Sequence, residues 1–529
     1  MGYGAFLRQL EDYIVPAESE RAKHIFQSGY TCLKRILWTY LIVHFLGTAA
    51  LLKFTHSVHA LGWFFDLERG ALFISAFLLA SRFHVPIAGR ILLLFSGFSF
   101  IPEGPERFML STLLLFAAGQ PRYFVVRVVD SETGRGVPLI SFKLPNEVVY
   151  WTDSAGIIAM DEPSLVGRQV YAEVTGPGYH LTGKTISDPN IMLRVEPGQT
   201  KTLQVDRDIL AERLYRLTGE GIYRDSLSAG LPIPLQDSFP EAQVMGQDTV
   251  SAALYRGRIF WIWGDTIGPS FFNGQVTAAT SDPKDDPSIG VRYRYFTANG
   301  RVKAMLPLPR KGLVWIEGLF TVTDPGGAER LLATYTRQDG LKFPDECGLA
   351  LFDDRKEVFE PFSELPCTRD HTSSHPFLHD GYWYLYPFLR VPNQWDSVRD
   401  PTRWEKREVR LPANLPANRN RPASVVWNAY RQRFLLLLDI GGDVFYAEAK
   451  APEGPYSPAV KIVWHDHYTF YNVATHPFFN QDGGRIIYFE GTYTDSFSGA
   501  KVKTPRYNYN QVMYRLRLDH PGLKRAREP

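Results

Sequence analysis

Five segments between residues 248 and 490 each open with a polar residue, and a short apolar stretch follows it at once. The opening residues are Asp248, Glu317, His375, Asn428 and His476. Carboxyl groups can exchange protons with a substrate, while imidazole and amide groups can hydrogen-bond to one. If the five segments are equivalent repeats, these side chains converge on one binding or catalytic site.

The ends of the second strands of these segments add further candidates. Asp265 ends the second strand of the first segment, and Glu490 ends that of the fifth. Trp263 lies two residues before Asp265 and offers an aromatic ring on which a ligand could stack. We therefore expect five residues to bind a ligand beside the carboxyl groups: Trp263, His375, Asn428, His476 and Glu490.

Each candidate also fits a purely structural role. Asp265 and Asn428 suit turns, because their side chains hydrogen-bond well to nearby backbone amides. His375 and His476 both precede proline and could simply mark the entry of a strand, and Glu317 could lie at a strand edge in solvent. The recurrence of polar residues at equivalent positions favours a shared site over these separate explanations.

The elements that would position these residues form a repeat. Consecutive opening residues lie 48 to 69 positions apart, which suits a four-stranded blade of roughly 40–50 residues plus loops. The apolar residues alternate along the segments, as in strands, and lack a helical period of 3.6. We predict a five-bladed β-propeller over residues 223–519, with a tail at 520–529. The opening residues would line its central axis.

Two motifs within this region resemble a known family. Gly246-Gln247-Asp248, an aromatic strand and Trp263-Gly264-Asp265-Thr266 are similar to the first blade of glycosidase propellers, with endo-D-arabinanases the best fit. The segment Phe445–Tyr456 resembles an outer-strand phrase of five-bladed arabinanases and fructosidases. The resemblance spans roughly residues 220 to 518, and it implies that Asp248 and Asp265 line the site.

The resemblance implies a glycoside hydrolase that acts on a furanose- or arabinan-like polysaccharide. Such enzymes commonly use one carboxyl group as general acid and another as base or nucleophile. We expect Asp248 to be the base or nucleophile, Glu317 the general acid, and Asp265 the group that orients or tunes one of them. A non-catalytic propeller that binds carbohydrate or protein through the same funnel remains the alternative.

No metal ligands or cofactor are predicted for the site. The sequence His465-Asp466-His467 alternates faces on a strand and fixes no third ligand, so we favour a solvated loop. The acidic run at 282–286 lacks the ordered oxygen spacing of a calcium loop. A structural ion at the propeller axis is left open.

Residues 121–206 predict a separate small β-sandwich. Strands alternate there with turns such as Thr133–Gly136 and Asp153–Gly156. The string from Thr133 to Pro138, together with Gly176-Pro177-Gly178-Tyr179, resembles the carboxypeptidase-regulatory-like module, which implies a spacer without chemistry. Apolar residues at helical spacing predict a linker helix within residues 207–222.

The first 120 residues are apolar in long runs, and the longest is Ile36–Leu52. That run approaches the roughly 20 residues needed to cross a bilayer, whereas the segment Met109–Gly119 looks like the end of a secretory leader. Membrane passes, a leader and a helical bundle all fit this region. We expect an exported or membrane-attached protein, with any membrane association through residues 36–118.

Composition supports a globular, mainly β chain. Aromatic residues make up 14% of the 529 residues and the formal net charge is +2, which indicates no nucleic-acid partner. The three cysteines cannot all pair within the chain. Cys347 and Cys367 could form a disulfide in an exported protein, but two separate buried thiols are the interpretation we favour.

Overall fold

The computed structural model describes residues 123–235, 242–273, 276–367, 375–385, 389–416, 424–496 and 498–527. All of them belong to one compact unit, Pro121–Pro529, and they are mainly β, as predicted. The predictions for residues 1–120, including membrane association through 36–118, lie outside the described residues. Within the described ranges, no helix has the length and hydropathy that a bilayer crossing requires.

Two four-stranded sheets are built from residues 124–207. Sheet A, in the order β4-β1-β8-β6, consists of β1 (Phe124–Asp130), β4 (Ile157–Met160), β6 (Tyr179–Leu181) and β8 (Thr200–Arg207). Sheet B, in the order β3-β2-β5-β7, consists of β2 (Ser141–Lys143), β3 (Val149–Trp151), β5 (Gln169–Thr175) and β7 (Asn190–Arg194). Buried residues of both sheets, such as Val126 and Phe142, pack into one hydrophobic core.

The described residues after Arg207 include five four-stranded antiparallel sheets. Sheet I consists of β11 (Ser251–Tyr255), β12 (Arg258–Trp263), β15 (Thr277–Ser281) and β16 (Arg294–Tyr295). Sheet II consists of β19 (Leu313–Thr323), β20 (Glu329–Gln338), β21 (Glu346–Asp353) and β22 (Val358–Glu364). Sheet III consists of β23 (Phe377–His379), β24 (Tyr382–Leu385), β25 (Leu389–Pro392) and β26 (Glu405–Lys406). In each of these sheets, strands that are consecutive in the chain pair with each other.

Sheet IV consists of β27 (Ser424–Asn428), β28 (Arg433–Ile440), β29 (Asp443–Ala449) and β30 (Val460–Val463). Sheet V consists of β31 (Thr469–Thr475), β32 (Ile486–Thr494), β33 (Asn510–Arg517) and, last in the pairing order, β9 (Glu212–Arg216). The fourth strand of sheet V thus comes from the chain that precedes sheet I. Sheet V therefore joins the two ends of this region.

Local sequence explains how the hairpins form. Arg256 and Gly257 join β11 to β12, and both have positive φ. Asp380 and Gly381 join β23 to β24 in the same conformation. Two-residue turns of this kind match the twist of the flanking strands, and glycine adopts positive φ without a steric cost.

Hydrophobic cores lie between successive sheets. Separate clusters join sheet I to II, II to III, and III to IV, and the core of sheets A and B extends between sheets IV and V. A further cluster contains Leu214 and Met513 of sheet V together with Trp261 of sheet I. The packing of the five sheets is therefore cyclic, because the fifth contacts the first.

The predicted linker helix is wrong. Residues Glu212–Arg216 form strand β9, which pairs with β33, and all five are buried. Leu214 and Leu217 have helical spacing. A five-residue strand that is buried on both faces shows no alternation of apolar and polar residues, so its sequence does not distinguish it from a helix. Pairing with the edge of sheet V outweighs the local preference for helix.

The remaining elements are short. A three-stranded sheet consists of β10 (Gly246–Gln247), β13 (Thr266–Gly268) and β14 (Phe271–Asn273). A two-stranded sheet consists of β17 (Thr297–Ala298) and β18 (Arg301–Val302). Among the described residues the α-helices are α1 (Arg224–Ser228), α2 (Trp395–Val398) and α3 (Lys524–Arg527). Five 3₁₀ turns occur in the described residues: Pro163–Leu165, Pro401–Arg403, Pro477–Phe479, Asp482–Gly484 and Pro521–Leu523.

Cys347 and Cys367 form a disulfide, with their Cα atoms 5.4 Å apart. The favoured prediction of two separate buried thiols is therefore wrong. The bond ties the start of β21 to the chain that follows β22. The sequence could not decide this, because the distance between two cysteines depends on the pairing of the strands that carry them.

Candidate active site

Asp248 and Asp265 lie side by side at one end of sheet I. Asp248 precedes β11 and Asp265 follows β12, and the Asp248 N–H donates to the Asp265 carbonyl at 3.3 Å. The Gly264 N–H donates to the Asp248 carbonyl at 2.8 Å. A Cβ atom on Gly264 would lie 2.4 Å from Asp248 Oδ1, so only glycine leaves room for this carboxyl group.

Hydrogen-bond donors from sheets V and II surround the two carboxyl groups. The Tyr471 hydroxyl on β31 donates to Asp248 Oδ2 at 2.5 Å. The Tyr509 hydroxyl, from the loop between β32 and β33, bonds to both Asp248 and Asp265. The side chain of Trp315 on β19 bonds to Asp265. Three sheets thus contribute to one polar cluster.

Burial dominates the acidity of these carboxyl groups. It raises the pKa of Asp248 to about 6, and the nearby charge of Asp265 acts in the same direction, while the Tyr471 and Tyr509 hydroxyls oppose the rise. Burial also raises the pKa of Asp265, against the hydrogen bonds from Trp315 and Tyr509. Hydroxyl donors favour the charged carboxylate, so they keep Asp248 ionised near neutral pH.

Glu317 completes the cluster from β19. The pairing of β19 with β20 shifts register between Glu317 and Phe320, and Gly318 in this bulge has a φ of 60°. Burial, together with the nearby negative charge of Asp248, raises the pKa of Glu317 to about 8. The pKa of Glu317 therefore lies above that of Asp248, so a proton shared by the two groups is held on Glu317. This is the arrangement that an acid–base pair requires.

His375 lies between sheets III and IV. It precedes β23 and bridges to Ser424, the first residue of β27. Burial lowers the pKa of His375 to about 3, and His476 adds to this effect, so the ring is neutral at pH 7. Its Nε2 atom is buried and makes no hydrogen bond to another described residue.

His476 and Glu490 form a buried pair between sheets V and I. His476 Nε2 lies 2.7 Å from Glu490 Oε1, and both side chains are almost completely inaccessible. The His476 ring packs edge-to-face on Trp261, with centroids 5.0 Å apart. These two predicted ligand-binding residues lie in the core between two sheets.

Asn428 has a structural role and is not an opening residue. It ends β27, where the Asn428 amide donates to the Gly484 carbonyl at 2.8 Å and its Oδ1 accepts from the Arg431 N–H at 2.8 Å. The strand opens at Ser424, which pairs with Leu437. The apolar run after Asn428 belongs to the second strand, so the predicted alignment of this repeat was one strand out of phase.

Trp263 offers no surface to a ligand. Its side chain is completely buried and packs against Trp261, Tyr293 and Tyr295. The alternation of β12 turns this ring into the core between sheets V and I. Trp315, which bonds to Asp265, is an aromatic side chain beside the carboxyl cluster that remains half-buried.

Sequence reasoning missed Trp315, Tyr471 and Tyr509. Trp315 could have been found, because it lies two residues before Glu317 on a strand and therefore on the same face. Tyr471 lies at a register shift in the pairing of β31 with β32, and Tyr509 has a φ of 60° in a long loop. No periodic pattern predicts where such residues point.

The described residues contain no group of three or more metal-ligating side chains in position to hold an ion. A separate groove of about 680 Å³ lies on sheet II and is lined by Tyr335, Glu346 and Glu364, among others. None of the eight predicted site residues lines this groove. His465, for which a solvated loop was predicted, is buried and bonds through Nε2 to the Tyr514 hydroxyl at 2.9 Å.

No protein-family model and no curated protein matches the chain. Solved structures with similarity include a putative hydrolase from Bacteroides ovatus (13% identity, 52% of this chain, 86% of that chain, TM-score 0.38). An exo-1,5-α-L-arabinanase from a bovine ruminal metagenomic library is 13% identical over 52% of this chain and 94% of that chain, with a TM-score of 0.32. The catalytic domain of the Coprinopsis cinerea GH62 α-L-arabinofuranosidase is 9% identical over 58% of this chain and 97% of that chain, with a TM-score of 0.35. Similarity this distant establishes neither the fold nor the activity of this chain.

Proposed function

We propose that sheets I–V are the blades of a five-bladed β-propeller, with sheets A and B forming the carboxypeptidase-regulatory-like β-sandwich before it. The cyclic order of the hydrophobic cores supports the propeller, since sheet V packs on sheet I. Strand β9 supports it too, because it supplies the last blade from the start of the region. First strands of successive sheets, such as β11 and β19, contact one another as they would around a central axis.

We propose that the protein is a glycoside hydrolase with Glu317 as general acid and Asp248 as base or nucleophile. The observation that carries this proposal is the cluster of three carboxyl groups, Asp248, Asp265 and Glu317, in which burial raises the pKa of Glu317 above that of Asp248. Glu317 has a pKa of about 8 and Asp248 a pKa of about 6, and the charge of Asp248 helps to hold the proton on Glu317. Hydrolysis of a glycosidic bond needs both forms at once. Asp265 raises the pKa of Asp248 through its charge.

The substrate we propose is a furanose- or arabinan-like polysaccharide. The support is the resemblance of Gly246–Asp248 and Trp263–Thr266 to glycosidase propellers, together with the proximity of Asp248 to Asp265. We further propose an exported or membrane-attached location. The Cys347–Cys367 disulfide supports export, because such bonds persist mainly in oxidising compartments.

Reducing-sugar release from a panel of arabinans tests the activity. We expect Asp248→Asn and Glu317→Gln each to lose at least about 100-fold in kcat/KM, the usual effect of removing an acid or base. Asp354→Asn is the matched control, because Asp354 also accepts a tyrosine hydroxyl, from Tyr255 at 3.0 Å. Its activity should equal that of wild type. If Asp248→Asn kept full activity, the assignment would be wrong.

The alternative function is non-catalytic carbohydrate binding at the same cluster. Its specific support is Trp315, a half-buried aromatic side chain beside carboxyl groups, which suits sugar stacking as well as catalysis. A wild-type protein that bound arabino-oligosaccharides but released no reducing sugar from any member of the panel would favour this alternative.

A further inference from the structure

A β-bulge follows Tyr471 on strand β31. The pairing of β31 with β32 shifts register directly after Tyr471, so that Asn472 and Val473 stand against a single residue of β32. Asn472 has a φ of 54°, in the left-handed region. A bulge interrupts the hydrogen bonding between the strands and leaves backbone groups of the bulged strand unpaired. The backbone beside Tyr471 therefore needs hydrogen-bond acceptors from outside sheet V.

Asp439 on β28 supplies such an acceptor from sheet IV. Its Oδ1 atom accepts from the Val473 N–H at 3.4 Å, and the Asn472 N–H bonds to the same carboxyl group. Asp439 lies two residues beyond Leu437, which belongs to the core between sheets IV and V. Its side chain therefore points to the side of β28 that faces sheet V. One carboxyl group from the neighbouring sheet thus bonds both N–H groups of the bulge.

The acidity of Asp439 reflects the same contacts. Burial raises its pKa to about 6, and hydrogen bonds from the backbone N–H groups of Val473, Asn472 and Asp439 itself oppose the rise. Such N–H groups favour the charged form of a carboxyl group. The carboxyl group and the bulge therefore hold each other most strongly when Asp439 is ionised.

Two more contacts fix the strand on either side of Tyr471. The Phe470 N–H donates to the Gly441 carbonyl, in the turn after β28, at 3.0 Å. The Asn472 side-chain amide donates to the carbonyl of Val250, directly before β11, at 3.4 Å. The bulge thus links the end of β28 in sheet IV to the start of sheet I.

The side chain of Tyr471 depends on this backbone for its direction. Its hydroxyl donates to Asp248 Oδ2 at 2.5 Å and also bonds to the Thr249 side chain. A hydrogen bond weakens steeply once its length and angle depart from the preferred geometry. A movement of the peptide after Tyr471 therefore weakens the bond that lowers the pKa of Asp248.

We propose that Asp439 is a positioning residue, which holds the bulge after Tyr471 so that the tyrosine hydroxyl meets Asp248. The inference rests on the proposed role of Asp248 as base or nucleophile, and it adds sheet IV to the sheets that control this group. The largest hydrogen-bond and charge effects on the pKa of Asp248 come from Tyr471, Asp265 and Tyr509. Asp439 therefore acts on Asp248 through Tyr471.

The test is the pH dependence of kcat/KM on an arabinan, measured in the full chain for Asp439→Ala. We expect the acid limb to move up by about one pH unit, a loss of about 10-fold near pH 5, because the hydroxyl bond to Asp248 weakens. Removal of a negative charge by itself would lower the pKa of Asp248 and move the limb down, so the direction separates the two effects. Adding Asp439→Ala to Tyr471→Phe should move the limb no further, because the hydroxyl is already gone.

Two further variants accompany Asp439→Ala. Asp353→Ala is the matched control, because the Asp353 carboxyl group also accepts two backbone N–H groups, at 2.8 and 3.1 Å, in the turn after β21. Its acid limb should equal that of wild type. Asp439→Asn keeps an acceptor of the same shape, but a neutral oxygen accepts less strongly than a carboxylate. Its limb should move up by less than that of Asp439→Ala, and this variant carries the test if Asp439→Ala does not fold.

An acid limb that stayed in place or moved to lower pH would overturn the inference and leave the catalytic proposal standing. The same holds if the limb of the double variant lay beyond that of Tyr471→Phe. If wild type releases no sugar from any arabinan, the catalytic proposal fails. The pKa of Asp248 is then measured from the difference in free energy of unfolding between each protein and its Asp248→Asn counterpart across pH. A higher pKa of Asp248 in Asp439→Ala than in wild type would support positioning, and an equal or lower one would overturn it.

Discussion

Replacing Tyr471 with phenylalanine removes the hydroxyl that donates to Asp248 and leaves the ring in place. In the native protein this hydrogen bond, 2.5 Å long, favours the ionised form of Asp248 and so lowers its pKa against the effect of burial. Without it the pKa of Asp248 must rise. The base is then protonated over a wider range of pH, and activity should be lost on the acid side of the profile.

The size of the shift follows from the strength of the bond. A hydrogen bond to a charged group contributes about 1.5–3 kcal/mol, and one pKa unit corresponds to about 1.4 kcal/mol, so the shift is about 1–2 units. The pKa of Asp248 would move from about 6 toward that of Glu317, which is about 8. Activity at about pH 5 should fall roughly 10- to 100-fold, and at about pH 7 only several-fold.

The assay is the pH dependence of kcat/KM on an arabinan or an aryl furanoside. Wild type should give a bell whose apparent pKa values lie near those of Asp248 and Glu317. Tyr255→Phe is the matched control, because Tyr255 also donates to a carboxylate, that of Asp354, at 3.0 Å. Its profile should overlay that of wild type.

Three results would refute the reasoning. If the acid limb of Tyr471→Phe stayed where wild type has it, Asp248 would not be the group that titrates there. If the limb moved to lower pH, the hydroxyl would be stabilising a neutral carboxyl group, and Asp248 could not act as the base. A uniform loss at every pH would likewise assign Tyr471 a role other than the tuning of Asp248.

Three further predictions concern stability. Glu317 has a pKa of about 8 in the folded protein against 4.5 for the free side chain, so ionising it destabilises the fold as pH rises between these values. The free energy of unfolding of Glu317→Gln should therefore increase relative to that of wild type, by up to about 3 kcal/mol between about pH 4 and pH 7. Replacing Cys347 and Cys367 with serine should cost about 3 kcal/mol, since the bond closes a loop across a separation of 20 residues. Asn428→Ala should cost about 1–3 kcal/mol, because it leaves the Gly484 carbonyl unbonded, and should leave kcat/KM unchanged.

Urea unfolding measures all three free energies. A stability gap for Glu317→Gln that did not change with pH would show that Glu317 is ionised in the folded state. For the cysteines, reduced wild type should match the double variant, and equal stability of oxidised and reduced protein would contradict the account. A loss of kcat/KM in Asn428→Ala without a loss of stability would return Asn428 to the binding residues.

The sequence predicts the local features of the fold well where one period dominates. The alternation on β5 and the turn at Asp380-Gly381 are both readable, because a strand and a tight turn each have a short-range signature. Strand β9 is not readable, since its neighbours in space lie almost 300 residues later in the chain. Only the tertiary pairing turns this segment into a strand.

For the candidate site, the prediction depends on finding the first strand of each repeat. Asp248 and His375 do precede first strands, and Asp265 follows a second strand beside Asp248. Asn428 is the last residue of a first strand and His476 follows one, and the apolar runs that come after them are second strands. Where the first strand is short and has few polar residues, the more hydrophobic second strand is mistaken for the start of the repeat.

The dependence of kcat/KM on the acidity of the leaving group tests the central claim most directly. Aryl furanosides from dinitrophenyl to phenyl should separate the roles of Glu317 and Asp248. Glu317→Gln should lose little on the dinitrophenyl substrate and about 100- to 10,000-fold on the phenyl substrate, because only the poor leaving group needs a proton. Asp248→Asn should lose activity on both. Equal losses for Glu317→Gln on every substrate would contradict its assignment as general acid.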